Sequence, residues 1–248
     1  MKTRILEKLR EVEKEKEIEI LFAVESGSRA WGFASPDSDY DIRFVYRQSK
    51  EDYLNLWESS DTIQFMTEDE LDGSGWDLRK ALRLLAKSNA SFLGWLFSPI
   101  VYIDKGNALE ELKGLALQNF NPVAGFFHYH SMNKGFDELL GSEEMTLKNF
   151  FYAIRTTLCA KWIRNKEIVP PVLFKELYAL VSAEDQRLLD ELIVLKSECK
   201  EKGKEDVNPR LIALAKEVVD ENNRLKSEVK SRKAELEAFN ALFLKLVK

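Results

Sequence analysis

Residues 25–46 read ESGSRAWGFASPDSDYDIRFVY, and the parsing of this stretch decides the fold. Just upstream, EIEILFAVES (17–26) alternates through Glu17-Ile18-Glu19-Ile20 and then runs apolar to Val24, the pattern of a strand entering a core. Gly27 and Gly32 interrupt that run, and SPDSD (35–39) supplies turn residues before a second strand, expected over Tyr40 to Tyr46. In a strand, side chains i and i+2 share a face, so Asp39 and Asp41 project together while Tyr40 and Ile42 turn away. Two like charges side by side raise the free energy unless a cation neutralises them. A hard divalent ion does so, and Mg²⁺ favours one or two carboxylates together with substrate phosphates. Gly27-Ser28, directly after a strand, lets backbone N–H groups come close to a phosphate, with the serine hydroxyl as a further donor.

Working outward, residues 2 to 16 place Ile5, Leu9 and Val12 at helical spacing among charges, which predicts an amphipathic first helix. A short helix is expected over Lys50 to Trp57 and a strand over Thr62 to Met66, after which Asp72-Gly73-Ser74-Gly75 reads as a flexible turn. WDLRKALRLLAKSN then carries Leu78, Leu82 and Leu85 at helical intervals, with Asp77 placed to cap its start. The order α-β-β-α-β-α gives an α/β or α+β core of about a hundred residues, taken here as α+β with a mixed sheet and helices. Beyond SPIVY the chain changes character. ALEELKGLALQNF, PVAGFFHYHSMNKGFDELL, MTLKNFFYAIRTTLCAKWIRN and PPVLFKELYALV are helix-like, separated by Asn121-Pro122, Gly141-Ser142 and Pro170-Pro171. Ser182 starts a further helix as its N-cap, and the stretch from Pro209 reads as one long amphipathic helix. A mixed domain over 1–105 therefore leads into an all-helical domain over 106–248 that serves substrate binding or interaction.

Composition bounds the function classes. A net charge of -5 argues against a protein that grips nucleic acid over its whole surface, and leaves room for a local basic patch. Cys159 and Cys199, without a CxxC partner, read as reduced cysteines rather than as a disulfide frame or zinc site. The charged start MKTRILEKLREVEKEKE lacks an apolar signal core, and no long apolar run follows, so a soluble cytoplasmic protein without a membrane partner is expected.

Gly27-Ser28, a ten-residue gap and Asp39-x-Asp41 in an apolar strand resemble the signature of the DNA polymerase beta nucleotidyltransferase superfamily. GSRAWGFASPDSDYDIRFVY, GWDLRKALRLLAKSN, the LFSPIVY ending, FYAIRTTLCAKWI and PPVLFKEL look like the RlaP-type predicted nucleotidyltransferases associated with RNA repair, a likeness over roughly residues 20 to 180. The resemblance implies metal-dependent transfer of a nucleoside monophosphate from an NTP, with loss of pyrophosphate. It implies three carboxylates and two Mg²⁺ ions, or Mn²⁺ in their place. Asp39 and Asp41 fit the first two catalytic and metal-binding positions. The family's Asp shortly before the W-D-L-R-K run points to Asp72 for the third, with Asp77, either a helix cap or the true third ligand, as the alternative.

Gly27, Ser28 and Arg29 form the expected phosphate loop, in which Arg29 either reaches a phosphate or is simply solvated. Arg79 and Lys80 open a helix just after the acidic site, so one faces the nucleotide, here assigned to Lys80, and the other solvent. Lys148 and Arg155, seven residues apart on a helix with Lys161 beyond, either contact the triphosphate or form a solvated face opposite Phe151, Ile154 and Leu158. His128 and His130 lie about 200° apart on a helix, too far to share an ion, and read as core or interface residues. Trp31, Tyr40, Trp76 and Trp95 either stack a base or belong to the core. The acceptor is an RNA end in the leading reading and a protein or small-molecule hydroxyl in the alternative. A non-catalytic nucleotide-sensing module is the reading from a different class.

Overall fold

The alternation and apolar run at 17–26 become the first strand of the sheet, buried along nearly its whole length. In a computed structural model that describes residues 1–68, 70–133, 139–140, 142, 145–199 and 207–248, the chain divides into two units. The first comprises Met1–Ala30, Asp39–Asn119 and Lys233–Lys248, the second Trp31–Ser38 and Phe120–Arg232. The division expected at 105/106 follows chain order, whereas these units interleave along the chain.

In the first unit, α1 (Lys2–Lys16) leads to β1 (Glu19–Glu25), the short α2 (Gly27–Trp31), β2 (Tyr40–Arg47), α3 (Lys50–Leu54) and β3 (Thr62–Met66). There follow β4 (Leu71–Asp77), α4 (Leu78–Ala86), α5 (Ala90–Leu96), β5 (Val101–Asp104) and α6 (Ala108–Asn119). The five strands lie in the order β3-β4-β2-β1-β5. Among the described residues only β2 and β4 pair in parallel; the other neighbours are antiparallel. This is the mixed sheet with helices of the α+β class. Ile42, Phe44 and Tyr46 of β2 point into one core with Ile20, Ala23, Leu71 and the Ile5, Leu9 and Val12 stripe of α1. Each fully buried aliphatic side chain of this kind contributes about 1.5–3 kcal/mol. By alternation, Asp41 and Arg43 occupy the other face of β2.

Two expectations about this unit are corrected. Gly73-Ser74-Gly75 is not a turn but the middle of β4, paired in register with Ile42, Arg43 and Phe44 of β2. Its glycines answer to distant aromatics. A β-carbon on Gly73 would lie 2.1 Å from the Phe65 ring, and one on Gly75 2.1 Å from the Phe44 ring. The helix expected to reach Trp57 stops at Leu54, leaving Leu54, Leu56 and Trp57 exposed.

The second unit holds α7 (Pro122–Asn133), α8 (Leu147–Lys166), a 3₁₀ segment (Phe174–Leu180), α9 (Ala183–Glu198) and α10 (Pro209–Leu225). The Trp31–Ser38 stretch packs here, with the Phe33 ring stacked 4.7 Å from Phe151 and edge-on to Phe174 at 5.6 Å. Within PPVLFKELYALV, residues 174–180 wind as a 3₁₀ helix rather than an α-helix, which eclipses positions i and i+3 and so buries Phe174 and Leu177 together. Ser182 caps α9 by accepting a hydrogen bond from the Asp185 amide, as expected. Residues 134–138, the end of the helix expected over PVAGFFHYHSMNKGFDELL, and Gly141 of the expected break lie outside the described residues.

The single long helix expected from Pro209 is two. α10 ends at Leu225, and α11 (Leu236–Leu246) belongs to the first unit. There Phe243 meets Tyr53 edge-on at 5.1 Å, Phe239 is buried, and Lys245 pairs with Glu111 of α6 at 2.5 Å. Among the described residues no helix is long and apolar enough to cross a membrane.

Candidate active site

β1 ends on Glu25, and the next residues are locked to Asp41 from both sides of its peptide. Glu25 Oε1 accepts a hydrogen bond from the Asp41 amide at 2.7 Å, while the Ser26 amide donates to the Asp41 carbonyl at 2.8 Å. Glu25 itself is fully buried, its other carboxylate oxygen accepting from the Tyr102 hydroxyl and its carbonyl from Ser98 Oγ at 2.6 Å. Burial pushes its carboxyl above the usual range, opposed by those donors. Gly27 follows in the left-handed region at φ 60°, and a β-carbon there would sit 1.9 Å from Asp41 Oδ2. Only glycine lets the backbone lie this close to the carboxylate. Ser28, at the start of α2, is buried beside it.

The parallel register of β2 and β4 sets Asp41 directly against Asp72. Arg43, two residues on and on the same face, joins them: Nη2 donates to Asp41 Oδ1 at 2.7 Å and to Asp72 Oδ2 at 2.8 Å. Nη1 donates to the main-chain carbonyls of Asp72 at 2.8 Å and Ile42 at 3.2 Å. Burial raises the Asp41 carboxyl above its ordinary range; the Arg43 charge opposes this, while Asp72 and Asp39 add to it. Asp39 precedes β2 and is exposed. Its carbonyl accepts from Arg29 Nε at 3.1 Å, and the Arg29 guanidinium lies 3.8 Å over the Tyr40 ring.

Among the described residues no group of three or more His, Cys, Asp or Glu side chains is placed to hold a metal ion. Asp41 and Asp72 meet through a guanidinium instead. The donors they offer are hard carboxylate oxygens in excess negative charge, the type a divalent cation such as Mg²⁺ takes.

The other candidates divide clearly. Asp77 is the N-cap of α4, accepting from the Arg79 amide at 2.8 Å, the Tyr53 hydroxyl at 2.8 Å and Gln48 Nε2 at 3.3 Å. Lys80 Nζ donates to Asp61 at 2.8 Å and Thr62 at 2.6 Å, and Thr62 pairs with Trp76, four positions along the ladder from Asp72. The structure does not bring Lys80 to the carboxylate pair. In the second unit, Arg155 is buried with its guanidinium 4.4 Å from the Trp31 ring, while Lys148, in the first turn of α8, is exposed. Lys161 pairs with Glu221 at 2.9 Å. His130 is buried and stacked on Phe126, and Trp76 stacks on Trp95 at 3.8 Å.

Sequence reasoning missed Glu25, Arg43 and Tyr102. The signal for Arg43 was present, since it continues the i, i+2 series of Asp39 and Asp41. Tyr102 left no local signal, because only the β1–β5 pairing brings it near Glu25.

Comparison with known proteins supplies the context for this geometry. A protein of Bacillus subtilis (strain 168), described as the uncharacterized protein YcgL, is 38% identical over 237 residues, covering 95% of this chain and 90% of that one. A solved nucleotidyltransferase-like protein from Exiguobacterium sibiricum 255-15 aligns over 96% of this chain and 77% of its own with 12% identity and a TM-score of 0.32, a likeness too slight to carry weight. Residues 1–245 match the model of the family described as "RlaP: RNA repair pathway DNA polymerase beta family". A match over nearly the whole length, around a strand pair that sets Asp41 against Asp72 beside the Gly27 loop, places the chain in the RlaP family.

Proposed function

We propose that the chain transfers a nucleoside monophosphate from an NTP to an acceptor hydroxyl, with an RNA end as acceptor and Mg²⁺, or Mn²⁺ in its place, as cofactor. The observation that carries this reading is the in-register pair Asp41 and Asp72, with Gly27 drawn in against Asp41 Oδ2. In the reaction the acceptor oxygen bonds to the α-phosphorus, the bond from that phosphorus to the bridging oxygen breaks, and pyrophosphate leaves. The acceptor proton passes to a site carboxylate or to water. Asp41, Asp72 and Asp39 are the residues to hold the metal. When bound, it lowers the acceptor's pKa and offsets the charge of the leaving group.

The chain's own part is positioning. Glu25 and Ser26 fix the Asp41 peptide through its amide and carbonyl, so the carboxylate is presented from a braced strand. Gly27 lets the loop backbone lie against the Asp41 carboxylate, Ser28 adds a hydroxyl, and Arg29, which contacts Asp39 and Tyr40, offers a positive charge to the phosphates.

The test is incubation with each α-labelled NTP and Mg²⁺, with and without a mixed RNA pool, followed by separation of RNA, protein and small molecules. Label on RNA that disappears in Asp41→Asn is the expected outcome. Label on protein or on a small molecule moves the acceptor there and overturns the RNA assignment. A second reading, a nucleotide-binding module without turnover, is favoured by one observation: Arg43 already occupies oxygens of both carboxylates. Mg²⁺-dependent NTP binding with no label in any fraction supports that second reading.

A further inference from the structure

The reading of Asp41 and Asp72 as metal ligands leaves Arg43 without a role, yet Arg43 is the most fully engaged side chain between them. Its two terminal nitrogens reach four acceptors on two strands: both carboxylates through Nη2, and the carbonyls of Asp72 and Ile42 through Nη1. Its side chain is 16% exposed, against 24% for Asp41 and 34% for Asp72, so the cation lies beneath the anions it bridges. Two carboxylates facing each other across adjacent strands repel, and partial burial strengthens the repulsion. The guanidinium cancels it: Nη2 reaches both carboxylates while Nη1 holds the two main-chain carbonyls, so the planar fork bridges the anions and keeps its own anchor at once, which the single nitrogen of a lysine cannot do.

The same arrangement sets up a competition. Nη2 binds one oxygen of each carboxylate, and a divalent cation shared by Asp41 and Asp72 draws on the same negative charge. Nη1, by contrast, is held by main-chain oxygens, so Arg43 retains an anchor when the carboxylates are taken from it.

We infer that Arg43 is a positioning residue for this site: an internal counter-cation that holds Asp41 and Asp72 in register before the metal arrives and that the metal must displace from their carboxylates. This rests on the metal-ligand reading of the two aspartates. Arg43 therefore keeps the affinity for the free cation low, and a cation delivered with phosphate oxygens as additional ligands competes better than the cation alone.

The competition is read by Mn²⁺ affinity, measured by electron paramagnetic resonance and by titration calorimetry, alongside thermal melts in chelator and in Mn²⁺. Arg43→Gln should bind Mn²⁺ roughly tenfold more tightly than wild type. It should also melt lower in chelator and recover more of that loss on adding Mn²⁺. Arg43→Lys, which keeps the charge without the fork, should tighten by roughly threefold and decides the matter if the glutamine variant does not fold. Asp41→Asn is the control for where the metal binds. Unchanged or weakened Mn²⁺ affinity in the Arg43 variants, with Asp41→Asn abolishing binding to wild type, overturns the inference and leaves the metal site standing. Binding that is undetectable in wild type and in both Arg43 variants, or indifferent to Asp41→Asn, overturns the metal site and the inference together.

Discussion

Two aspartates on one strand, Asp72 at the start of β4 and Asp77 at its end, are in opposite circumstances. They are five residues apart, so alternation puts them on opposite faces of the sheet. Asp77 is 4% exposed and its oxygens are met by a main-chain amide, a tyrosine hydroxyl and a glutamine amide, none carrying a charge. Asp72 has a third of its side chain exposed and is met by a guanidinium shared with Asp41. Fixed neutral donors satisfy a carboxylate permanently and make it part of the scaffold. A carboxylate balanced by a cation that it shares with a second carboxylate remains available to another one. Two acids near the same motif can therefore both be important, one to the fold and the other to the chemistry.

The largest expected effect breaks this pair apart. Asp72→Asn should lower transfer of label from NTP by about 100-fold or more while leaving the melting temperature near that of wild type. Asp77→Ala should do the reverse, costing about 1 kcal/mol for the lost cap and about 1–3 kcal/mol for the stranded Tyr53 hydroxyl, with turnover per folded molecule retained. Denaturant melts and initial rates on both variants measure the contrast, which collapses if the two profiles coincide. A finer version uses two glycines. Gly75→Ala drives a β-carbon into the Phe44 ring and should destabilise by about 1–3 kcal/mol without changing turnover of the folded protein. Gly27→Ala drives one into the Asp41 carboxylate at a positive φ and should abolish turnover even where protein remains folded.

The smallest effect is on pH. Asp41 and Glu25 both have carboxyls raised chiefly by burial, so over that raised range the folded chain holds more protons than the unfolded one. Metal-free stability should therefore fall as pH rises from the ordinary carboxylate range through the raised one. Asp41→Asn should flatten that slope in chelator, measured by melts across pH, and an unchanged slope would show that Asp41 does not contribute to it.

What could be read in advance was what short-range pattern determines. The α1 stripe, the alternation of β1 and β2, the Asp77 and Ser182 caps and the Asp39-x-Asp41 spacing all concern residues within a few positions of one another. β4 was missed because Gly-Ser-Gly carries a turn signal locally, while the need for glycine comes from Phe65 and Phe44 on other strands. The break after Leu225 was missed because residues 226–235 contain no Gly or Pro, and the chain there passes from one packing unit to the other. Arg155 read as a phosphate ligand or a solvated charge because Trp31, the ring beneath it, is distant in sequence. Asp72 and Asp77 could not be separated from spacing alone, since their difference lies in the register of β4 against β2.

The placement of α11 has a consequence for how the protein is made. The first unit includes residues 233–248, but these leave the ribosome only after residues 120–232 have been synthesised, an interval on the order of ten seconds. During that interval the side of α4 that Phe239 and Phe243 will cover, with Leu82 and Ala86, stands open to water. The nascent first unit is thus a sheet with its carboxylate pair already encoded and one apolar flank unsealed, a state in which a chaperone or an early truncation has its strongest hold on the chain.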